Sequence, residues 1–508
     1  MEIMKRAERT PVLQIAPEVD HVPEDMGELG QYISGKSGGL GEVVTALCEG
    51  LTDRGIECHL AMIDLKRRFQ REHGLKESHW KDFCERTDPA RIHLISASFF
   101  DELPSAYACD VLTNAVELQR QAVNHIIRGI RAEHEGRLIL HSHDWMAGGI
   151  ITAHAKSRNC PVLHTVHNVH TGQAPVEMYS GVNIDELRPW LYFSQEYGKT
   201  CVDCQATAIK NASLVNLVGH RFLQEILGDY FLDRPIMTPS IRQEIKAKFH
   251  HGAMLTILNA PSKRIYPEQC PSLVRKYGPD DDVMTAKREN RLAFQRRTCL
   301  LEDPGAILLY WPSRLDPAQK GIELLEDIAL RFVIEHADVQ IAVVGDGING
   351  DRGHEEIMGR IACASGGKIT YQRYSEELSV LGYAAASDVF GASLYEPCGQ
   401  IDQIGNLYGA TATNRDTGGY HDKISELESR EDGFPRDRGN GFLFRDYDPG
   451  GLWYGLEKSV LFHRKPPQIR ERHLKRIMKE ARSAYALENM IDQYVNAYEK
   501  LNGGEPLV

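Results

Sequence analysis

The stretch Glu396-Pro397-Cys398-Gly399, continued at Thr417-Gly418-Gly419, sets a carboxylate, a rigid proline and backbone amides close together. It follows an apolar run, Ala386 to Leu394, that reads as a buried strand, and a helix candidate begins directly after it. A carboxylate beside a helix N-terminus can hold a sugar hydroxyl and a phosphate together. Glu396 could act as a nucleophile, or bind hydroxyls and stabilise an oxocarbenium-like transition state, or serve as a helix cap. Three further groups carry related chemistry. In Lys36-Ser37-Gly38-Gly39-Leu40-Gly41 the glycines let backbone amides approach a phosphate and the lysine adds positive potential; the same residues also make a tight strand-to-helix turn. Arg314 and Lys320 are fixed cations that could stabilise a leaving diphosphate, or two solvated surface charges. His141, His143, His164, His167 and His170 suggest a metal site, but no fourth ligand is evident and no metal is expected. Trp145, after Asp144, is either a core aromatic or a face for a sugar's C–H surface.

These residues need strand ends to hold them. Val12 to Ala16 reads as a strand, Gly35 to Glu42 as a glycine-rich loop, Val43, Val44, Leu47 and Leu51 as one face of a helix, and Glu57 to Ile63 as the next strand: a βαβ unit. Further strands are expected at Arg91 to Ala97, Arg137 to Leu140, Pro161 to Leu163, Ser213 to Val218 and Leu255 to Asn259. A second alternating series starts at Ala306 to Tyr310 and continues through Val339 to Val344, Lys368 to Tyr371 and Ala386 to Leu394. The pattern predicts an α/β chain of two doubly wound Rossmann-like domains facing across a cleft, with ligands at the carboxyl ends of the strands. Domain bounds of 1–258 and 259–470 are expected, with a charged helical tail over 471–508.

The chain has 508 residues, 42% of them hydrophobic and 26% charged, as in ordinary multidomain globular proteins. Its 59 Lys and Arg against 71 Asp and Glu give a formal charge of −12, which argues against nucleic-acid or anionic-membrane partners. Eleven scattered cysteines suggest no disulfide framework, and Cys201 and Cys204 read as two reduced thiols. No signal peptide and no membrane span are visible, so the cytoplasm is the expected compartment. Oligomeric state is left open.

Taken in order, the motifs resemble those of bacterial glycogen synthases and plant starch synthases. Lys36 to Val43 is similar to their K-x-G-G-L-(G/A)-D-V loop, with Glu42 in place of the aspartate. His141 to Trp145 resembles H-x-H-D-W, His167-Asn168 the T-H-N segment, and Ser313 to Gly321 the S-R-L-x-x-Q-K-G stretch with one extra residue. Glu396 to Gly399 and Thr417 to Gly419 match E-P-C-G and T-G-G. The resemblance implies a GT-B fold whose C-terminal helix crosses back onto the first domain. It also implies retaining transfer of glucose from ADP-glucose or UDP-glucose to the non-reducing end of an α-1,4-glucan, without a cofactor. On that reading Glu396, His167, Arg314 and Lys320 are catalytic. Lys36, Gly38, Gly39, Tyr374, Cys398, Gly399, Thr417, Gly418 and Gly419 bind the donor, and Asp144, Trp145 and Asn168 line the sugar cleft. Arg314, Lys320 and a helix N-terminus would cover the diphosphate charge.

The chain departs from these relatives at particular places. Gln400-Ile401-Asp402 replaces L-T-Q, and an inward Asp402 would repel a diphosphate. Gly219 to Leu223 replaces S-P-T-Y-A, and Asn259-Ala260-Pro261-Ser262 replaces N-G-I-D. Two other outcomes follow from such changes: a weak or inactive glucan- or nucleotide-sugar-binding homologue, or a sucrose-synthase-like transferase with a small acceptor.

Overall fold

Val12-Leu13-Gln14-Ile15 is buried along its whole length, as a strand covered on both faces must be. It opens a computed structural model that describes residues 9–23, 26, 32–33, 35, 38–76, 78, 91–196, 198–234, 236–348, 352–428 and 437–507. Lys36 and Ser37 lie outside the described residues, as does much of the irregular stretch between Glu426 and Gly441. The chain divides into a first unit, Met1–Val218, Leu223–Asn259 and Glu488–Val508, and a second, Gly219–Phe222 and Ala260–Leu487.

The strands of the first unit are β1 (Val12–Ile15), β2 (Cys58–Ile63), β3 (Ile92–Ile95), β4 (Ile139–His143), β5 (Val162–Val166), β6 (Gln173–Pro175), β7 (Phe193–Glu196), β8 (Lys199–Asp203), β9 (Leu214–Leu217) and β10 (Met254–Leu255). Seven of them form a sheet in the order β10-β9-β5-β4-β1-β2-β3, with parallel pairings. Strands β6, β8 and β7 make a small antiparallel sheet that the sequence pattern did not announce. Strand β10 is only two residues long, so most of the expected Leu255 to Asn259 strand is irregular.

The second unit contains β11 (Ile307–Trp311), β12 (Val339–Val344), β13 (Ile369–Gln372), β14 (Asp388–Gly391), β15 (Thr411–Arg415) and β16 (Gly441–Phe444). They form one parallel sheet in the order β13-β12-β11-β14-β15-β16, a doubly wound arrangement whose strand order reverses between β11 and β14. Side chains sort by parity, as a period of two requires. Ile307, Leu309 and Trp311 join one core with Ile322, Leu325, Phe332 and Leu456; Leu308 and Tyr310 join another with Phe294, Leu381 and Met478. Strand β14 covers only the middle of the expected Ala386 to Leu394 run, which frees Ser393 and Leu394 to enter a loop. Strand β15 is buried throughout although its sequence, Thr-Ala-Thr-Asn-Arg, is polar. Its Thr411 hydroxyl is bonded to Asp388 and lies 3.0 Å from His463 Nε2, which replaces the apolar contacts a central strand usually makes.

The return to the first unit comes at Glu488, later than the expected 471. The helix Pro467–Ala484 stays with the second unit because Leu474 and Ile477 pack with Phe442 and Phe462, while Met478 and Ala481 enter the core around Tyr408. The helix Leu487–Leu501 then buries Met490, Ile491, Tyr494, Ala497 and Tyr498, one helical face, in the first unit. It passes so close to the helix Gly39–Thr52 that a Cβ on Gly50 would lie 2.6 Å from Ile491 Cγ1 and 2.8 Å from both Cδ1 and Cγ2. Alanine at an ordinary helical glycine gains about 1 kcal/mol, but overpacking costs about 1–3 kcal/mol. Both branches of Ile491 close on this point, so the clash is with the body of the side chain and not only its far end. Gly50→Ala is therefore expected to lower stability in urea unfolding, against the sign that helix propensity dictates.

Candidate active site

The carboxyl ends of β4 and β5 lie side by side, and one carboxylate ties them together. Asp144 Oδ1 accepts hydrogen bonds from the backbone N–H of His167 (2.6 Å) and Asn168 (3.1 Å). Asp144 has φ +54°, a left-handed conformation costly for a residue with a side chain, and these two bonds help hold it there. Burial pushes its carboxyl up to about 7, against the lowering pull of the two amides. Trp145 is half-buried, its ring filling the space a side chain on Gly172 would need. Asn168 Oδ1 accepts from Val169 N at 2.8 Å, and its carbonyl accepts from Gln205 Nε2 at 3.2 Å.

Behind Asp144 runs a chain of buried polar groups. Gln14 Nε2 donates to the Tyr498 hydroxyl (3.0 Å), so Gln14 Oε1 is the acceptor for His143 Nε2 (2.9 Å). That places the proton of neutral His143 on Nε2 and leaves Nδ1 to accept from His167 Nε2, 3.1 Å away. His167 Nδ1 is then a bare lone pair, buried and with no partner among the described residues. The Tyr498 hydroxyl in turn lies 2.7 Å from His141 Nδ1, and His141 Nε2 lies 2.8 Å from Thr165 Oγ1. Burial holds all of these rings neutral: His141 and His143 fall well below the ordinary histidine range, His164 to about 4 and His167 to about 3. The histidines thus form a hydrogen-bonded relay ending in one acceptor atom, whose tautomer is set by Gln14 and Tyr498.

In the second unit the decisive side chain is Glu396, buried just beyond β14. Its Oε2 accepts from Lys320 Nζ (2.5 Å) and from Ser393 Oγ (3.0 Å). Lys320 ends a turn in which Asp316 Oδ1 accepts from the N–H of Ala318 (2.9 Å) and Gln319 (3.1 Å), and the Asp316 carbonyl accepts from Lys320 and Gly321. This turn accommodates the extra residue between Arg314 and Lys320. Arg314 is exposed at the carboxyl end of β11, and Tyr374 is exposed just after β13. The residues after β11 and β14 thus flank the point where the strand order reverses, the usual ligand position in such sheets.

The glycines of this region answer first to packing. Gly419 N donates to the Glu396 carbonyl at 2.9 Å. A Cβ on Gly418 would collide with the carbonyl of Glu396, one on Gly419 with that of Cys398, and one on Gly399, at φ +68°, with the Tyr420 ring. Thr417 is buried in extended conformation ahead of this contact, and Cys398 is buried within it. Gly219, one of the departures, has the same cause: a Cβ there would strike the Pro397 carbonyl.

Neither candidate helix N-terminus is left for a phosphate alone. The Gly38 amide, ahead of the helix Gly39–Thr52, donates to Glu18 Oε2 at 3.1 Å, while Gly39 is exposed as the first helical residue. The helix after Gln400, Ile401–Leu407, carries Asp402 in its first turn. Asp402 is fully buried and paired with Lys423 Nζ at 2.7 Å, and the same ammonium bonds the Gly399 carbonyl. Burial raises the Asp402 carboxyl, with Lys423 pulling it down. The acidic group feared as a repulsive element is thus neutralised from within.

Comparison with known proteins accounts for the pattern. The starch synthase catalytic domain family matches residues 27–234. A glycogen synthase of Geobacillus thermodenitrificans is 26% identical over 492 residues, 92% of this chain and 95% of its own; one of Histophilus somni is 29% identical over 344 residues, 65% of this chain and 66% of its own. In fold, the catalytic domain of starch synthase IV from Arabidopsis thaliana, bound to ADP and acarbose, aligns with a TM-score of 0.72 at 21% identity, covering 96% of this chain and all of that one. Sucrose-phosphate synthase from Thermosynechococcus elongatus aligns at 0.58 and 17%, covering 98% of this chain and all of that one. The chain is similar to glycogen and starch synthases along most of its length.

Several residues that hold these strand-end groups in place escape a reading by motif. Arg415, at the end of β15, is buried and donates from Nη1 to the Leu394 carbonyl (2.6 Å), fixing the loop that presents Glu396. Gln14, Tyr498 and Lys423 act in the same indirect way from distant parts of the chain. Removing one member of a buried ion pair costs about 3–5 kcal/mol. Asp402→Ala is expected to destabilise the protein by that amount in urea unfolding, and adding Lys423→Met should restore part of the loss.

The neutral histidines of this region predict a pH effect. A ring held below its unfolded value contributes stability that is complete above about pH 6.5 and is lost as pH falls through the folded values, near 4 for His164 and near 3 for His167. The urea midpoint should therefore drop between pH 6.5 and 4, and His164→Gln should make that drop shallower.

Proposed function

We propose that this enzyme transfers glucose, with retention, from a nucleotide-diphosphate glucose, ADP-glucose or UDP-glucose, to the non-reducing end of an α-1,4-glucan. The observation that carries the reading is the part-buried Lys320–Glu396 pair beside the strand-order reversal of the second unit, in a chain similar to glycogen synthases along most of its length. The starch synthase IV neighbour, bound to ADP and acarbose, supports a nucleoside diphosphate and an α-glucan-like ligand.

In the reaction the bond between the glucose C1 and the diphosphate oxygen breaks, and a bond from C1 to the acceptor oxygen forms on the same face. The leaving phosphate takes the acceptor's proton. Glu396 keeps Oε2 on Lys320 and Ser393 and offers Oε1 to the donor sugar, where its negative charge favours the oxocarbenium-like transition state. Lys320 and Arg314 carry the diphosphate charge, with Lys36 assigned to the same ligand. Cys398, Gly399, Thr417, Gly418 and Gly419 face the donor with backbone, and Tyr374 lies toward the base. His167 accepts a sugar hydroxyl on Nδ1, a role that needs the neutral ring. Asp144 positions His167 and Asn168, and Trp145 offers a face to the glucan. Among the described residues no helix is long and apolar enough to cross a membrane, and we assign the enzyme to the cytoplasm.

Radiolabelled ADP-glucose and UDP-glucose, each with glycogen, maltose or fructose, separate this reading from its competitors. Label is expected in glycogen and maltose; label in fructose alone would indicate a small-acceptor transferase, and none in any acceptor a binding protein. Glu396→Gln is expected to lower kcat by about 100- to 1,000-fold. An unchanged rate would remove Glu396 from the mechanism.

A further inference from the structure

At the opposite edge of the first unit's sheet, where the strands begin, three potential metal ligands meet. Glu57 immediately precedes β2, His59 is its second residue, and His134 ends the helix Ile127–Glu133 that leads toward β4. Glu57 and His59, two apart on an extended chain, point to one face. Glu57 Oε1 lies 3.3 Å from His59 Nε2 and 3.4 Å from His134 Nε2, and all three ligand atoms fall within 4.8 Å of one another. We propose that Glu57, His59 and His134 bind a divalent transition-metal ion of the zinc class.

The distances fit an ion as well as a hydrogen-bond cluster. Charge-assisted bonds between imidazole and carboxylate close to about 2.7–2.9 Å, and neither contact does. With metal–ligand bonds of about 2.0–2.1 Å, a tetrahedral site has edges of about 3.3–3.4 Å, the spacing found here. Two imidazoles and one carboxylate are a zinc-type donor set that leaves a fourth position for water. An outer layer is also in place. His59 Nδ1 lies 3.2 Å from Nε2 of His93, the second residue of β3, so the ring nitrogen that faces away from the ion has a partner to fix its tautomer.

The backbone is equally constrained. The Glu57 carbonyl accepts from Val12 N at 2.9 Å, and the turn after His134 is closed by Gly136 N to Arg131 O (2.7 Å) and Arg137 N to His134 O (3.0 Å). His59 and His134 are buried, while the Glu57 side chain retains 11% exposure, enough for an ion to enter from that side. Far from the strand ends that carry Asp144 and His167, the ion would pin β2 to the segment before β4.

The test is titration of the chelator-treated full-length chain with Zn2+ in a calorimeter, followed by Co2+ spectroscopy. About one ion per chain is expected, with tetrahedral Co2+ bands and no thiolate-to-cobalt charge transfer. His93→Ala should weaken binding about 10- to 100-fold, and His59→Ala or Glu57→Gln should weaken it further, with far-ultraviolet circular dichroism confirming the fold. If a variant does not fold, the wild-type Co2+ spectrum decides. No stoichiometric binding, an octahedral aqua-like spectrum, thiolate bands, or affinity unchanged in folded His59→Ala and Glu57→Gln would each overturn the proposal.

Discussion

Two pieces of backbone approach each other in the second unit more closely than any side chain permits, and the candidate site depends on that approach. Gly418 and Gly419 lie against Glu396 and Cys398 with a direct amide-to-carbonyl bond of 2.9 Å and no room for a Cβ. That contact sets where the loop after β14 turns and keeps Glu396 within reach of Lys320 and Ser393. Arg415 and Lys423 secure the same loop through the carbonyls of Leu394 and Gly399. The carboxylate is therefore held by packing, by one short ion pair and by two buried cations, an arrangement organised before any substrate arrives.

The first unit solves a different problem. His143 and His167 would be a liability if each could adopt either tautomer. The chain Tyr498–Gln14–His143–His167 removes the ambiguity, since each donor along it determines the next acceptor. This explains why a helix formed by the last residues of the chain matters to a site built from strand ends: Tyr498 supplies the first acceptor, and Tyr494 and Tyr498 complete the core beneath the histidines. Burial keeps the rings uncharged, which suits a hydroxyl acceptor and penalises acid.

How much was legible in the residues varies with the range of the interaction. Periodicity and glycine placement revealed most strands of both parallel sheets, because those signals are local. It missed β15, since a buried strand of Thr, Asn and Arg looks exposed until Asp388 and His463 are seen to satisfy it. It also extended Ala386 to Leu394 as a strand where only Asp388 to Gly391 pairs, because apolar character continues into a buried loop. Asp402 read as a hazard because its partner, Lys423, stands 21 residues away on another element.

The sequence by itself determined the two-part α/β plan and the family resemblance, and it singled out Glu396, Lys320, Arg314, Asp144 and His167 as candidates. These rest on short motifs and local periodicity, which a linear chain displays directly. Only the tertiary structure decided what each group does. It assigned Asp144 to hold two amides, gave His167 one defined lone pair, turned the T-G-G glycines into a packing requirement, and paired Asp402 with Lys423. It also brought Glu57, His59 and His134 together from segments with no shared motif. The reason is physical: charge, tautomer and close approach depend on neighbours in space, and those neighbours come from distant parts of the chain.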